Sequence, residues 1–122
     1  MNKDNQEVIN NWGKTNAYNE YLKKTENYSS DKFVTLSNLL QEIFKEFSIL
    51  LQKKFCFKSD EAQGLVKKLQ SFITANYYNC TNEILLYLGQ IYISDIRFKN
   101  NIDHYCDGTA LYIKKAIDYY CN

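Results

Sequence analysis

The segment Asn76–Asp103 reads NYYNCTNEILLYLGQIYISDIRFKNNID, and the fold turns on how it is read. Ile84, Leu85, Leu86, Tyr87, Leu88, Ile91, Tyr92 and Ile93 follow one another with little polar interruption. A helix that is apolar on all sides has to be covered on most of them. The segment therefore predicts a central helix over about 82–94, with other helices around it. Thr81 carries the side chain of an N-cap for that helix. Just ahead stand Tyr77, Tyr78, Asn79 and Cys80. A thiol near the positive end of a helix is expected to ionise more readily than a free cysteine.

Working outward from there, Phe33, Leu36, Leu40, Ile43, Phe44, Phe47, Leu50 and Leu51 recur in steps of three and four. That spacing predicts one long helix to about Lys54, with its buried stripe on one side and an N-cap chosen from Ser29, Ser30 and Asp31. Ser59 then caps a helix whose core face is Ala62, Leu65, Val66, Leu69, Phe72 and Ile73 and which ends near Asn76. On the far side, Asp95 begins a short helix to about Tyr105, with Phe98, Ile102 and Tyr105 on one side. Asp107-Gly108 is a turn, and Thr109 is expected to cap a last helix carrying Ala110, Ile113, Ile117 and Tyr120. No strand pattern appears, so periodicity predicts an all-α domain.

The first 32 residues differ from this. They hold nine apolar residues and seven asparagines, whereas the other 90 hold 46 apolar residues. Ordering a residue costs about 1–2 kcal/mol of chain entropy, and the front segment has far less burial per residue to set against it. Two weak helices are expected there, over about 4–12 and 15–25, broken at Gly13, with Thr15 capping the second. Residues 1–28 thus read as a mobile lid, and 29–122 as the helical core of a single domain.

Composition narrows the function classes. The net charge is +1 and the lysines come as scattered pairs, with no basic stripe of the kind nucleic acid requires. The opening MNKDNQEV is polar, and no apolar run approaches membrane-spanning length, so a cytoplasmic protein is expected. Cys56, Cys80, Cys106 and Cys121 form no C-x-x-C pair. The expectation is four free thiols and no zinc or redox centre. No metal, cofactor or catalytic motif can be read, and the chain is not expected to be an enzyme.

Several stretches together resemble one family. WG-x-T-x-AY-x-EY-x-KKT-x-x-Y (12–28), SDEAQ-x-LV-x-KLQ (59–70), CTNEI (80–84), LGQ-x-Y-x-x-D-x-RFK-x-NID (88–103) and GTA-x-Y-x-x-x-AI (108–117) occur in the order seen in the TipAS family. These are the antibiotic-recognition domains of MerR-type transcription regulators. The resemblance implies a globin-like helical fold with an open ligand cleft. It also implies an effector domain that binds a bulky hydrophobic antibiotic, a thiopeptide or similar multidrug ligand. A DNA-binding head and a dimerising coiled coil would be separate parts, so this chain is expected to be monomeric and to make no nucleic-acid contact of its own.

The resemblance also implies roles for particular residues. Cys80 matches the cysteine that adds to a dehydroalanine of the ligand; without the resemblance it reads as a small buried apolar residue beside two tyrosines. Trp12, Tyr18, Tyr21 and Tyr28 read as an aromatic lid that stacks on a flat ligand, or as anchors for the front helices. Tyr77, Tyr78, Tyr87 and Phe98 are candidates for the cleft wall, or for plain core. His104, the single histidine, reads as a structural residue beside Tyr105 or as a haem ligand. Two further classes therefore stay open beside the drug sensor: a protein-interaction module seating a partner helix in an aromatic groove, and a haem or tetrapyrrole carrier.

Overall fold

A computed structural model describes residues 16–122 of the chain. Within them run six helices: α1 (Asn16–Thr25), α2 (Ser30–Gln52), α3 (Asp60–Asn76), α4 (Asn82–Ser94), α5 (Ile96–Asp103) and α6 (Thr109–Tyr120). No strand occurs among the described residues. The expected helix over 4–12, the break at Gly13, the cap at Thr15 and Trp12 lie outside them.

Four helix starts are fixed by local side chains, as their sequences indicate. Ser29 Oγ accepts the Lys32 N–H (3.1 Å), Ser59 Oγ the Ala62 N–H (3.2 Å), Thr81 Oγ1 the Ile84 N–H (3.2 Å) and Asp95 Oδ1 the Arg97 N–H (2.9 Å). Each hydroxyl or carboxylate satisfies a backbone donor that the first turn leaves without a partner. The start of α6 corrects the expectation for Thr109. Thr109 is the first helical residue, fully buried, and its hydroxyl donates backward to Cys106 O at 2.6 Å. Gly108 occupies the cap position at φ +90°, where a side chain would be strained. The cap itself comes from the preceding helix: Asp103 Oδ1 accepts the Ala110 N–H at 2.8 Å.

A second correction concerns the centre of the molecule. The middle is occupied by α6, on which Thr109, Ala110, Tyr112, Ile113, Ala116 and Ile117 are all buried, and which packs against α2, α3, α4 and α5. On α4 the buried residues are Leu85, Gly89 and Tyr92, and Leu86 is 39% exposed. The reason is distance of approach. Ala110 and Ala116 keep the flanks of α6 thin. On α4, a Cβ at Gly89 would lie 3.3 Å from Ile117 Cδ1, so the two helices sit close enough there that even a methyl group would press on Ile117.

The long helix α2 joins the core through Ile43, Phe44 and Phe47, and in its first half Leu36 is buried. Phe33, expected in the buried stripe, is 38% exposed and Val34 59%. Helices α2 and α4 meet sparsely, with Phe44 against Tyr92. Two glutamines seven residues apart join α3 to what it faces. Gln63 Nε2 donates to Phe57 O (2.9 Å) and Ala116 O (3.0 Å). Gln70 Nε2 donates to Cys80 O and Asn82 Oδ1 (both 2.8 Å), and its Oε1 accepts the Tyr120 hydroxyl (3.0 Å). No helix among the described residues is long and apolar enough to cross a membrane.

Candidate functional site

Cys80 lies in the short loop between α3 and α4, one residue before the cap of α4. Its backbone is fixed on both sides: the N–H donates to Thr74 Oγ1 (3.1 Å) and the carbonyl accepts Gln70 Nε2 (2.8 Å). The side chain turns into the core and is 3% exposed, with a long contact from Sγ to Thr81 O (3.9 Å). The expectation of a readily ionised thiol is corrected here. Burial, and then the neighbouring Cys121, push the thiol up to about 12. Its polar contact is a carbonyl, Thr81 O, rather than an N–H from the first turn of α4.

Around the sulfur stand Tyr78 and Tyr92, both buried. Burial raises both phenols well above their usual range, with Cys80 the next contributor for each. Tyr92 continues a line of rings from the core to the surface. It meets Phe44 of α2 edge-on (5.5 Å, 82°) and Phe98 of α5 at a tilt (5.9 Å, 41°). Phe98 is 41% exposed. This line joins α2, α4 and α5. Tyr92 is a residue that sequence reasoning passes over as one of an apolar run. The available signal is its spacing: Leu85, Gly89 and Tyr92 fall on one face of α4.

Tyr77, on the other side of the loop, belongs to a separate group. Its ring stacks on Tyr21 (6.1 Å, 28°) and meets Phe72 edge-on (6.1 Å, 74°). Burial, followed by Tyr21 and Tyr28, raises its phenol. The Tyr28 hydroxyl donates to Asn76 O at 2.7 Å, and its ring meets Phe33 edge-on at 5.5 Å. Lys24 Nζ donates to Thr74 O (3.2 Å), and Glu20 Oε2 accepts the Asn79 N–H (2.7 Å). Helix α1 is thus attached to residues 74–79, with Ala17 buried in the core cluster. Tyr18 is exposed and Tyr87 half-buried; neither makes a ring contact among the described residues.

Two other features complete the surface. An open groove of about 590 Å³ runs between α2 and α3, lined by Leu39, Glu42, Ile43, Glu46, Lys68, Ser71 and Phe72. His104 is exposed; its Nδ1 donates to Asn101 O at 2.6 Å and its ring rests on Tyr105 at 4.0 Å. No group of three or more His, Cys, Asp or Glu among the described residues is arranged to hold a metal ion.

Comparison with known proteins gives a consistent picture. The family model of the TipAS antibiotic-recognition domain matches residues 5–120. The HTH-type transcriptional activators TipA of Streptomyces coelicolor and of Streptomyces lividans are each 31% identical over 112 residues, which are 92% of this chain and 44% of theirs. The HTH-type transcriptional activator mta of Bacillus subtilis is 33% identical over 116 residues, 95% of this chain and 44% of its own. The chain thus spans less than half the length of these curated relatives. A solved structure of TipAS from Streptomyces lividans in complex with nosiheptide, from a thiopeptide antibiotic multidrug resistance system, superimposes with a TM-score of 0.81. It is 29% identical and covers 99% of this chain and 86% of that one. The helical, globin-like arrangement expected from the resemblance is the fold of this chain.

Proposed function

The chain belongs to the TipAS antibiotic-recognition domain family, and from that membership we propose that it is the ligand-binding effector domain of a MerR-type transcription regulator. Its ligand is a bulky hydrophobic antibiotic, a thiopeptide or a compound of similar size. The observation that carries this reading is the match over 99% of the chain to a domain solved with nosiheptide. The ring line of Phe44, Tyr92 and Phe98, which runs from the core to an exposed edge, supports it as the place of binding. Tyr78 and Phe98 contribute wall, and Trp12, Tyr18, Tyr21 and Tyr28 close over the guest as residues 1–28 rearrange. Tyr77 contributes through its stack on Tyr21, and Tyr87 from the half-buried face of α4.

Covalent capture at Cys80 is part of the proposal. The sulfur adds to the β-carbon of a dehydroalanine, the carbon–carbon π bond opens, and the α-carbon takes a proton; nothing leaves. A thiol held near 12 is a poor nucleophile at neutral pH, so capture requires that the loop around Cys80 open first. The cytoplasm, where such a regulator works, also keeps the thiols reduced.

The test is thermal unfolding and intact mass with nosiheptide. A ligand at 100 times its Kd stabilises by about 2.7 kcal/mol, which is roughly 10 °C for a domain of this size. A rise of that order, with an adduct that Cys80→Ala abolishes, is the expected result. No shift and no adduct at saturating ligand would overturn the reading. A partner-helix module is the second reading, supported by the groove of Leu39, Ile43 and Phe72 edged by Glu42 and Glu46. It predicts that a basic amphipathic helix binds there and that Leu39→Glu abolishes the binding.

A further inference from the structure

Both backbone polar groups of Cys80 are met by side chains of one helix. Thr74 Oγ1 accepts its N–H at 3.1 Å, and Gln70 Nε2 donates to its carbonyl at 2.8 Å. The two residues are four apart on α3 and so share a face. A residue just ahead of a helix cap has no ladder to join, so its N–H and C=O need other partners. Gln70 is itself held in place. Its Nε2 also donates to Asn82 Oδ1 at 2.8 Å, which brings both amide hydrogens into use. Its Oε1 accepts the Tyr120 hydroxyl at 3.0 Å. The cysteine is thus fixed to α3 by its main chain, in an orientation that leaves the residue 3% exposed.

We propose that Thr74 and Gln70 are positioning residues for the Cys80 thiol: by holding its backbone they keep the sulfur in the core, and the thiol reacts only from a loop in which both bonds have been exchanged for water. Neither side chain touches the reacting atoms; both act through the main chain. In the open loop water takes up the N–H and the carbonyl, so the two bonds set how rarely the loop opens. That open fraction scales the rate of capture. A ligand that binds the open loop better draws the population toward it. A small soft electrophile meets only the rare opening. The inference deepens the covalent reading above and rests on it for its biological use. Its test runs without antibiotic, so failed positioning leaves drug binding standing, and failed drug binding leaves positioning standing.

The experiment is N-ethylmaleimide labelling of the full chain, with each cysteine quantified by peptide mass mapping. Exposed Cys56 serves as the internal control. Thr74→Val keeps the shape and removes the acceptor, which strands the Cys80 N–H in the closed loop but not in the open one. Cys80 labelling is expected to accelerate by about tenfold, with Cys56 unchanged. Thr74→Ser restores the acceptor and is expected to restore the wild-type rate. Asp103→Ala removes the cap at the other end of α6 from Tyr120. It controls for a general loss of stability and should leave Cys80 labelling as it was. An unchanged Cys80 rate in folded Thr74→Val, or an equal acceleration in Asp103→Ala, would overturn the proposal. The wild-type chain supplies a second measurement that needs no variant to fold. Hydrogen exchange of the Cys80 amide and labelling of its thiol should report one local opening, with one equilibrium constant. An amide that exchanges freely beside a protected thiol would overturn the proposal too.

Discussion

Alanine placed at two helical glycines should give two different answers. Gly64 in α3 is exposed, and a Cβ there would find nothing within 4 Å. Gly64→Ala therefore returns the full helix-propensity gain of about 0.8–1 kcal/mol, roughly 4 °C in Tm. At Gly89 in α4 the same gain is opposed. The new Cβ meets Ile117 at 3.3, 3.6 and 3.7 Å, and Ile117 is fully buried at the centre of α6. Ile117 Cδ1 has to retreat a few tenths of an ångström into packed surroundings, at the low end of the 1–3 kcal/mol typical of overpacking, about 1 kcal/mol. Gly89→Ala is then near neutral. Gly89→Val, with two further carbons on the same line, is destabilising by about 2 kcal/mol or more and pushes α4 off α6. Because Tyr92 rides on α4, it also disturbs the ring contact with Phe44. Urea unfolding reads all three, with Cm shifting at constant m. Equal stabilisation by both alanines would refute the close approach of α4 and α6, and with it the placement of α6 at the centre.

Other outcomes follow from single contacts. The raised Cys80 thiol contributes stability that is complete below the ordinary thiol value of 9.0 and is lost as pH climbs toward about 12; Cys80→Ala should flatten the alkaline decline of the unfolding free energy over that window, and an unchanged curve would contradict the burial. Asp103→Ala removes the cap of α6 and should cost about 1 kcal/mol, measured by urea. Burial alone would raise the Asp103 carboxyl, but hydrogen bonds from Ala110 N–H and Lys99 outweigh it and hold it low. Its contribution is therefore present above the ordinary value of 3.8 and lost as pH falls toward the lowered one, so the variant should lose part of the acid slope in that window. Gln70→Ala breaks the bonds to Cys80 O, Asn82 Oδ1 and the Tyr120 hydroxyl, at a cost of about 2 kcal/mol; a loss below about 0.5 kcal/mol, on the order of a surface substitution, would count against its role as a tie.

The helices and most of their starts are legible because they depend on neighbours in sequence. Ser29, Ser59, Thr81 and Asp95 each act within three residues of themselves. Thr109 misleads because the acceptor that caps α6 arrives from Asp103, across a turn made possible by Gly108. The central helix is misplaced by its sequence for a related reason. Apolar residues on every side of α4 say that it is buried somewhere, but which helix others surround depends on how closely axes approach. That is set by Ala110, Ala116 and Gly89, which carry little hydrophobic signal. At Cys80 the position is legible and the direction of the side chain is not. The same thiol aimed at the backbone donors of α4 would be activated; turned inward beside Tyr78 and Tyr92 it is masked.

Gln63 and Gln70 act on α3 as two teeth of a key. An apolar interface can slip by a helical turn and still bury similar area, but amide teeth cannot. A slip would strand Phe57 O, Ala116 O, Cys80 O and the Tyr120 hydroxyl together. The block of α3 and α6 is therefore locked in register. Any rearrangement of the described fold is thereby left to the elements outside that block.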